Sequence, residues 1–200
     1  MKILIVGSGG REHALAWKIV KSPMVKKIFC APGNPGIAEV AECVDIEAGN
    51  VEGLYNFALK QKIDLTVVGP EDALTAGIVD RFRDGQLRIF GPSKRASIIE
   101  GSKVFAKTLM RKYGIPTADF KTFEDLKQAK KHLSSCEFPL VIKADGLAKG
   151  KGVFVCKTLE DANKHIDDIM NEKIFGQAGD KVVVEEFLSA IKRHLESGNR

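Results

Sequence analysis

The residues best suited to chemistry are concentrated in one short stretch, residues 143–152, which reads KADGLAKGKG. An apolar run delivers Lys143, and a second apolar run follows Gly152. Backbone N–H groups of a glycine-rich hairpin can fold over phosphates, while lysines neutralise them as point charges. The stretch is not a Walker A motif, because Gly150-Lys151 is followed by glycine and then by a strand. We predict a polyphosphate-binding hairpin; the alternative is a solvated basic turn.

A second glycine-rich turn, GSGGREH at residues 7–13, follows the first apolar run and opens a helical segment. Small residues let backbone approach a phosphate at a helix N-terminus. The dinucleotide fingerprint needs a third glycine where Glu12 stands, and an acid about 20 residues further on. No Asp or Glu lies between His13 and Ala38, which disfavours a nicotinamide enzyme. We favour a phosphate-contacting loop over a tight turn whose glycines serve geometry alone.

Two further loops, Ala31–Gly36 and Val68–Asp72, follow other apolar runs. In an open parallel sheet, loops beyond the carboxyl ends of strands converge on one crevice, so these loops are predicted to share a site with the first turn. Glu71 is either a ligand of that site or an acid that stabilises a helix start. The segment Val182–Leu188 ends an apolar run with two acids. Its backbone can pair with an adenine edge while Phe187 and Leu188 pack beside it.

The elements that must position these residues alternate as strand and helix up to residue 92, which predicts a parallel, doubly wound sheet. A helix is predicted from Ser93 to Tyr113, and a second small α/β unit follows it. The predicted strands are Lys2–Val6, Lys27–Cys30, Cys43–Ile46, Asp64–Val68, Leu87–Phe90, Thr117–Thr122, Leu140–Ala144, Val153–Lys157 and Lys181–Phe187.

Composition indicates an ordinary soluble globular chain, with 44% hydrophobic and 28% charged residues. No apolar run approaches the roughly 18–20 residues that a membrane span needs. The net charge of +5 lies after residue 92, since residues 1–92 carry 11 basic and 11 acidic side chains. The lysines are dispersed among acids, so we expect no nucleic-acid partner. The four cysteines form no C-x-x-C pair; we predict buried free thiols, no zinc site and a reducing cytoplasm.

Together these segments resemble the glycinamide ribonucleotide synthetase (phosphoribosylamine–glycine ligase) family of the ATP-grasp superfamily. The resemblance spans residues 1–188 and implies a Rossmann-like pre-ATP-grasp domain at 1–92, a linking helix at 93–116 and a first ATP-grasp lobe at 117–188. The matching segments are Gly7–Leu15, Ala31–Gly36, Val68–Asp72, Gly91–Lys107, Pro139–Val153 and Val184–Leu188.

The resemblance also implies an activity. In the family, ATP phosphorylates the glycine carboxylate, and the amine of 5-phosphoribosylamine then attacks the glycyl phosphate, with magnesium and without a protein nucleophile. The residues that correspond to the phosphoribosylamine site are Gly9, Gly10, Gly69, Pro70 and Glu71. Those that correspond to the ATP site are Lys103, Lys143, Gly146, Lys149, Gly150, Lys151, Gly152, Glu185, Glu186, Phe187 and Leu188.

The sequence departs from the family pattern after Leu188, where residues 189–200 read SAIKRHLESGNR. We expect these residues to be a tail unrelated to the family, and the chain to be a truncated form. The second lobe, with its magnesium-binding carboxylates, is then missing, and no catalytic or metal-binding residue can be assigned. The rival hypothesis is a non-catalytic module that binds phosphates or nucleotides or serves as a scaffold.

Overall fold

The computed structural model describes residues 1–148 and 150–188. The chain divides into two compact units, Met1–Ile98 and the part from Ile99 onward. Within the described residues, no helix has the length and apolar character needed to cross a membrane. The predicted tail, residues 189–200, lies outside the described residues.

The first unit is built on a five-stranded parallel sheet in the order β3-β2-β1-β4-β5. Parallel neighbours need crossover connections, and the chain supplies helices between the strands. This confirms the predicted doubly wound, Rossmann-like domain. Its strands are β1 (Lys2–Gly7), β2 (Lys27–Pro32), β3 (Glu42–Cys43), β4 (Leu65–Val68) and β5 (Ile89–Phe90).

Helices cover both faces of this sheet because successive side chains of a strand point to opposite faces. Leu4 and Val6 of β1 belong to the core that includes Leu54 and Phe82, whereas Ile3 and Ile5 belong to the opposite core. The helices of this unit are α1 (Gly10–Ile19), α2 (Val51–Gln61), α3 (Glu71–Ala76) and α4 (Ile78–Asp84), and α5 (Lys94–Gly101) begins in it and runs past Ile98.

The second unit contains a four-stranded antiparallel sheet in the order β6-β9-β7-β8. Strands β7 and β8 form the hairpin that carries the lysine- and glycine-rich stretch. The elements are α6 (Lys103–Lys112), β6 (Phe120–Phe123), α7 (Leu126–Leu133), β7 (Leu140–Ala144), β8 (Val153–Cys156), α8 (Leu159–Ile166), a π-helical turn (Asp167–Asn171) and β9 (Val182–Glu186).

The two faces of the second sheet differ in character. Leu140, Ile142 and Ala144 of β7 pack in a core with Leu133 of α7 and Ile166 of α8. The period of two in a strand places Val141 and Lys143 on the other face, together with Glu185 of β9. The charged residues of interest therefore share one face of the sheet, and the apolar core occupies the other.

Several expectations differ from the structure, and besides those below β5 is two residues instead of four and β6 begins at Phe120 instead of Thr117. The single helix predicted over 93–113 is two helices, α5 and α6, separated at Ser102, whose backbone is extended and whose side chain caps α6. The third strand is only Glu42–Cys43, two residues instead of four. Of the four free cysteines, all predicted from the sequence to be buried, Cys30 and Cys156 are buried and Cys136 is half-buried, but Cys43 is exposed because it lies on this short edge strand. The linker at 93–116 and the tail stay predictions.

Candidate functional site

In the first unit, the loops that follow β1, β2 and β4 are in contact. The side chain of Asn34 donates from Nδ2 to the Ser8 carbonyl at 2.7 Å. The backbone N–H of Gly33 donates to the Gly7 carbonyl at 3.1 Å. On the other side of β1, Gly69 N–H donates to the Val6 carbonyl at 3.1 Å. The three loops thus meet at the carboxyl edge of the sheet, as their positions after parallel strands predict.

A buried carboxylate, Glu12, lies beneath these loops. Its side chain is at the third position of α1, and the residue is only 3% exposed. A Cβ placed on Gly7 or on Gly9 would come within 3 Å of the Glu12 side chain, and one on Gly69 would overlap it. Gly7, Gly9 and Gly69 therefore leave space for the Glu12 side chain. In the dinucleotide fingerprint the position of Glu12 is a third glycine, which has no side chain to occupy that space.

Glu12 also changes which backbone groups the first turn offers. Its Oε2 accepts the Gly9 N–H at 2.6 Å, so that donor is already occupied. Gly10 is exposed, and no atom lies within 4 Å of a Cβ placed on it. The Gly9 N–H is therefore not available to a phosphate in this arrangement. The predicted contact is left to the N–H groups at the start of α1, beginning with Gly10, because the first turn of a helix lacks intrahelical acceptors.

The loop after β4 contributes Glu71, the first residue of α3. Its carboxylate pairs with Arg11 of α1, with Nη2 and Oε2 3.1 Å apart. The pKa of Glu71 is lowered, chiefly by a hydrogen bond from its own backbone N–H and further by Arg11, while burial opposes this shift. Gly69 and Pro70 precede it and are half-buried. An ionised carboxylate is therefore held at the mouth of this loop cluster.

In the second unit, the start of α6 is tied to the start of the glycine-rich hairpin. Asp145 accepts hydrogen bonds from the Ser102 hydroxyl at 3.1 Å and from the Val104 N–H at 3.0 Å. Lys103, the first residue of α6, donates from Nζ to the Gly146 carbonyl at 2.7 Å. These contacts bring the predicted ATP-site residues Lys103 and Gly146 together.

Burial lowers the pKa of Lys103, and the positive charge of Lys143 adds to that effect; Asp145 and Glu100 oppose it. A lysine whose ammonium form is destabilised by burial and by a like charge gains when an anion arrives. Lys103 is therefore well suited to pair with a phosphate, and Lys143 places a second positive charge near it.

The hairpin between β7 and β8 depends on glycine at several positions. Gly146 and Gly150 have positive φ values of 86° and 76°, which L side chains rarely adopt. Gly152 is buried, and a Cβ there would stand 2.6 Å from Ala148. Lys151 is exposed, and its N–H donates to the Ala148 carbonyl at 2.8 Å. Lys149, also predicted to bind ATP, lies outside the described residues.

Lys143 points to the same face of the sheet as Glu185, and the two form an ion pair. The second oxygen of Glu185 lies 2.6 Å from Nζ of Lys107, a lysine of α6. Glu185 is only 7% exposed, so one buried carboxylate bridges two lysines.

The predicted adenine segment borders a cavity of about 830 Å³ at the end of the second sheet. Glu185, Glu186 and Phe187 line it, together with Phe138 and Arg111. The N–H of Glu186 is donated to the Asp119 carbonyl at 2.9 Å. An adenine edge would therefore have to pair with other backbone groups of this segment, which ends at the half-buried Leu188.

Both units match models of one protein family. Residues 1–100 match the phosphoribosylglycinamide synthetase N domain, and residues 101–193 match its ATP-grasp (A) domain. The chain belongs to the phosphoribosylglycinamide synthetase family. The boundary between the two matches falls at the last residue of α5, just before the break at Ser102.

Curated relatives agree with this assignment. A phosphoribosylamine–glycine ligase of Caldanaerobacter subterraneus is 54% identical over 188 residues, which are 94% of this chain and 45% of that protein. The ligase of Fusobacterium nucleatum is 49% identical over 96% of this chain and 45% of its own length. The chain thus spans a little under half the length of these relatives, and it corresponds to their N-terminal portion.

Solved structures share the fold. The phosphoribosylamine–glycine ligase of Thermotoga maritima is 31% identical, with a TM-score of 0.75, and the match covers 94% of this chain and 44% of that one. A biotin carboxylase of Campylobacter jejuni, solved as a β,γ-ATP complex, is 19% identical with a TM-score of 0.74 over 94% of this chain and 45% of its own. The second similarity concerns the fold alone.

The side chains and backbone groups of the second unit are better suited to bind phosphate groups than a magnesium ion. Two lysines and a glycine hairpin supply positive charge and backbone donors. Among residues 1–148 and 150–188, His, Cys, Asp and Glu side chains form no group of three or more that could hold a metal ion. No step involving magnesium is therefore assigned to the described residues.

Three residues of the candidate sites were missed by sequence reasoning. Glu12 is visible in the sequence only as a mismatch to the dinucleotide fingerprint, and Asp145 only as an acid inside a basic stretch. Lys107 follows an apolar stripe on α6 and resembles any surface lysine. No sequence signal connects Gly69 with Gly7 and Gly9; only the structure shows that all three surround Glu12.

Proposed function

We propose that this chain supplies the phosphoribosylamine-binding unit and the phosphate-binding half of an ATP-dependent ligase that joins glycine to 5-phosphoribosylamine. The product is glycinamide ribonucleotide, with ADP and phosphate released, a step of purine biosynthesis. The observation that carries the proposal is the convergence of Lys103, Lys143 and the glycine hairpin in the second unit, in a chain of this family.

Each group has a defined task in this proposal. Lys103 and Lys143 neutralise the ATP phosphates, and Gly146–Gly152 lets backbone N–H groups close over them. The segment Glu185–Leu188 holds adenine beside the 830 Å³ cavity. In the first unit, Gly10 and Glu71 lie at the loop cluster that receives the amino sugar.

ATP supplies the phosphoryl group that activates the glycine carboxylate, and the sugar amine then displaces phosphate to form the amide. The residues of this chain contribute by positioning and by charge neutralisation. Magnesium and the remaining ligands belong to the part of the family's fold that the described residues do not include. The cytoplasm is the proposed location, because small phosphorylated metabolites and free thiols such as Cys43 suit a reducing compartment.

The second candidate is the rival hypothesis drawn from the sequence. It is a non-catalytic module that binds ATP phosphates without turning them over. ADP release that requires both glycine and phosphoribosylamine distinguishes the two. We expect release when the chain is mixed with the C-terminal remainder of a full-length relative; ATP binding without release, even then, would favour the module.

The phosphate site itself is tested by competitive acetylation of lysines, read by mass spectrometry with and without ATP. We expect ATP to protect Lys103 and Lys143. Lys103→Met should abolish the protection of Lys143, whereas Lys112→Met, at the exposed end of the same helix, should leave it intact. Equal labelling with and without ATP in the unaltered chain would rule out the proposed phosphate site.

A further inference from the structure

Lys107 is the only buried residue of α6, and its side chain is 11% exposed. A buried lysine is expensive unless charged and polar partners surround it. Here Nζ donates to the Thr117 hydroxyl at 2.7 Å and to the Ala118 carbonyl at 3.0 Å, and it lies 2.6 Å from Oε2 of Glu185. Three oxygen contacts therefore fix the ammonium group in place.

Each carboxylate oxygen of Glu185 contacts a different lysine, and the two lysines differ in how many other contacts hold them. Oε2 contacts the fixed Lys107, while Oε1 contacts Lys143, whose side chain is 27% exposed. Lys143 stands at the open side of the cluster, next to the hairpin. Only one of the two lysines is thus free to leave the carboxylate without losing several other contacts.

The charges explain why two lysines are needed. A carboxylate paired with Lys143 alone would neutralise it, and an incoming phosphate would compete with Glu185 for the ammonium group. With Lys107 held permanently on the other oxygen, the three groups carry one net positive charge. Departure of Lys143 then leaves Glu185 still paired, which avoids an uncompensated buried charge.

We propose that Lys107 is a positioning residue that acts as the fixed counter-ion of Glu185 and thereby leaves Lys143 available for the ATP phosphates. The inference rests on the proposed function, in which Lys143 is a phosphate ligand. Lys107 itself touches no substrate. Its effect on phosphate binding is transmitted through the shared carboxylate.

The test measures the acetylation rate of Lys143 in the chain without nucleotide, because only the unprotonated amine reacts. Removal of the Lys107 charge leaves Glu185 to Lys143 alone, which stabilises the ammonium form. We expect Lys107→Met to slow the labelling of Lys143 by about threefold, the effect of a partly exposed ion pair. Lys107→Arg keeps the charge and should label like the unaltered chain.

A second background separates this role from a merely structural one. Glu185→Gln removes the shared charge, so Lys143 should label faster, and adding Lys107→Met should change its rate no further. If Lys107→Met alters Lys143 labelling equally with and without the Glu185→Gln substitution, the counter-ion role is wrong. If Lys107→Met alone does not fold, Glu185→Gln is compared with the double variant, which contains no unpaired buried carboxylate; a difference in Lys143 labelling between these two would contradict the counter-ion role. Lys130→Met, which breaks the ion pair with Asp167 elsewhere in the same unit, is the matched control.

The two proposals fail in different ways. Labelling of Lys143 without nucleotide tests the counter-ion role, whereas protection of Lys143 by ATP in the unaltered chain tests the phosphate site. Protection by ATP combined with unchanged labelling in Lys107→Met would overturn the counter-ion role alone.

Discussion

Glu12 accepts a 2.6 Å hydrogen bond from the N–H of Gly9, inside the turn where an anion would otherwise meet the start of α1. The carboxylate is almost fully buried, and glycines from two loops surround it. This contact ties the shape of the first turn to a side chain of the helix that follows it.

Gly69→Ala should destabilise the first unit, because the new methyl group would overlap the Glu12 carboxylate. We expect a loss of about 1–3 kcal/mol in the free energy of unfolding, the usual penalty of overpacking. Urea denaturation followed by circular dichroism measures it. Gly10→Ala, where nothing lies within 4 Å, should be neutral or slightly stabilising. Equal losses in the two variants would contradict the packing described for Glu12.

Asp145→Ala should both destabilise the second unit and weaken nucleotide protection of Lys103. It removes the acceptor of the Ser102 hydroxyl and of the Val104 N–H, so the start of α6 is no longer held at the hairpin. We expect a loss of about 1–3 kcal/mol in the free energy of unfolding, since two donors lose a charged partner. Urea denaturation and the acetylation assay with ATP measure the two effects.

Asp125→Ala provides the comparison for Asp145. Asp125 caps α7 by accepting the Gln128 N–H at 2.8 Å, away from the hairpin. Its removal should lower stability by about 1 kcal/mol and leave the protection of Lys103 by ATP unchanged. If both variants weaken protection alike, Asp145 has no specific role at the hairpin.

Stability should fall between about pH 9 and pH 12 in part because of Cys30. Burial, followed by the neighbouring Cys43 and Glu12, raises the pKa of this thiol from 9.0 to about 12. In that window the unfolded chain loses a proton that the folded chain keeps, so stability declines by up to about 1.4 kcal/mol per pH unit. Cys30→Ala should show a shallower decline, measured by denaturation at several pH values; parallel curves would refute the assignment.

Thiol reagents should modify Cys43 first. It is exposed, whereas Cys30 and Cys156 are buried and burial raises the pKa of Cys156 to about 11. The two buried residues therefore present little reactive thiolate. Alkylation at mildly alkaline pH, followed by peptide mass spectrometry, should label Cys43 in the folded chain and the two buried thiols only in denaturant. Early labelling of Cys30 would contradict the packing of β2.

The positions of the strands could be predicted because buried strands appear as short apolar runs in the sequence, although β3 and β5 are shorter than expected. The break at Ser102 was not predicted, since residues 94–112 keep a helical pattern throughout. Ser102 itself caps α6, and its hydroxyl also donates to Asp145, 43 residues further along the chain. The contact with Asp145, which adds to this local cap, cannot be read from local periodicity.

The candidate sites show the same limit. Lysines and glycines at strand ends could be predicted as ligand-facing because loops after strands are where ligands bind. The burial of Glu12 and Lys107 could not, since each is stabilised by partners that only the tertiary structure brings near. For Lys107 these partners include Thr117 and Glu185. Charged residues read from sequence are assigned to the surface by default.

The position of Glu12 at the third residue of α1 has an electrostatic consequence for the first unit. A helix start carries a partial positive charge, equivalent to about half an elementary charge, which ordinarily attracts anions. In this chain the buried carboxylate of Glu12 already compensates part of that charge, while the charge of Glu71 is balanced by Arg11. The start of α1 therefore offers an incoming anion less positive charge than a glycine-only dinucleotide turn would offer.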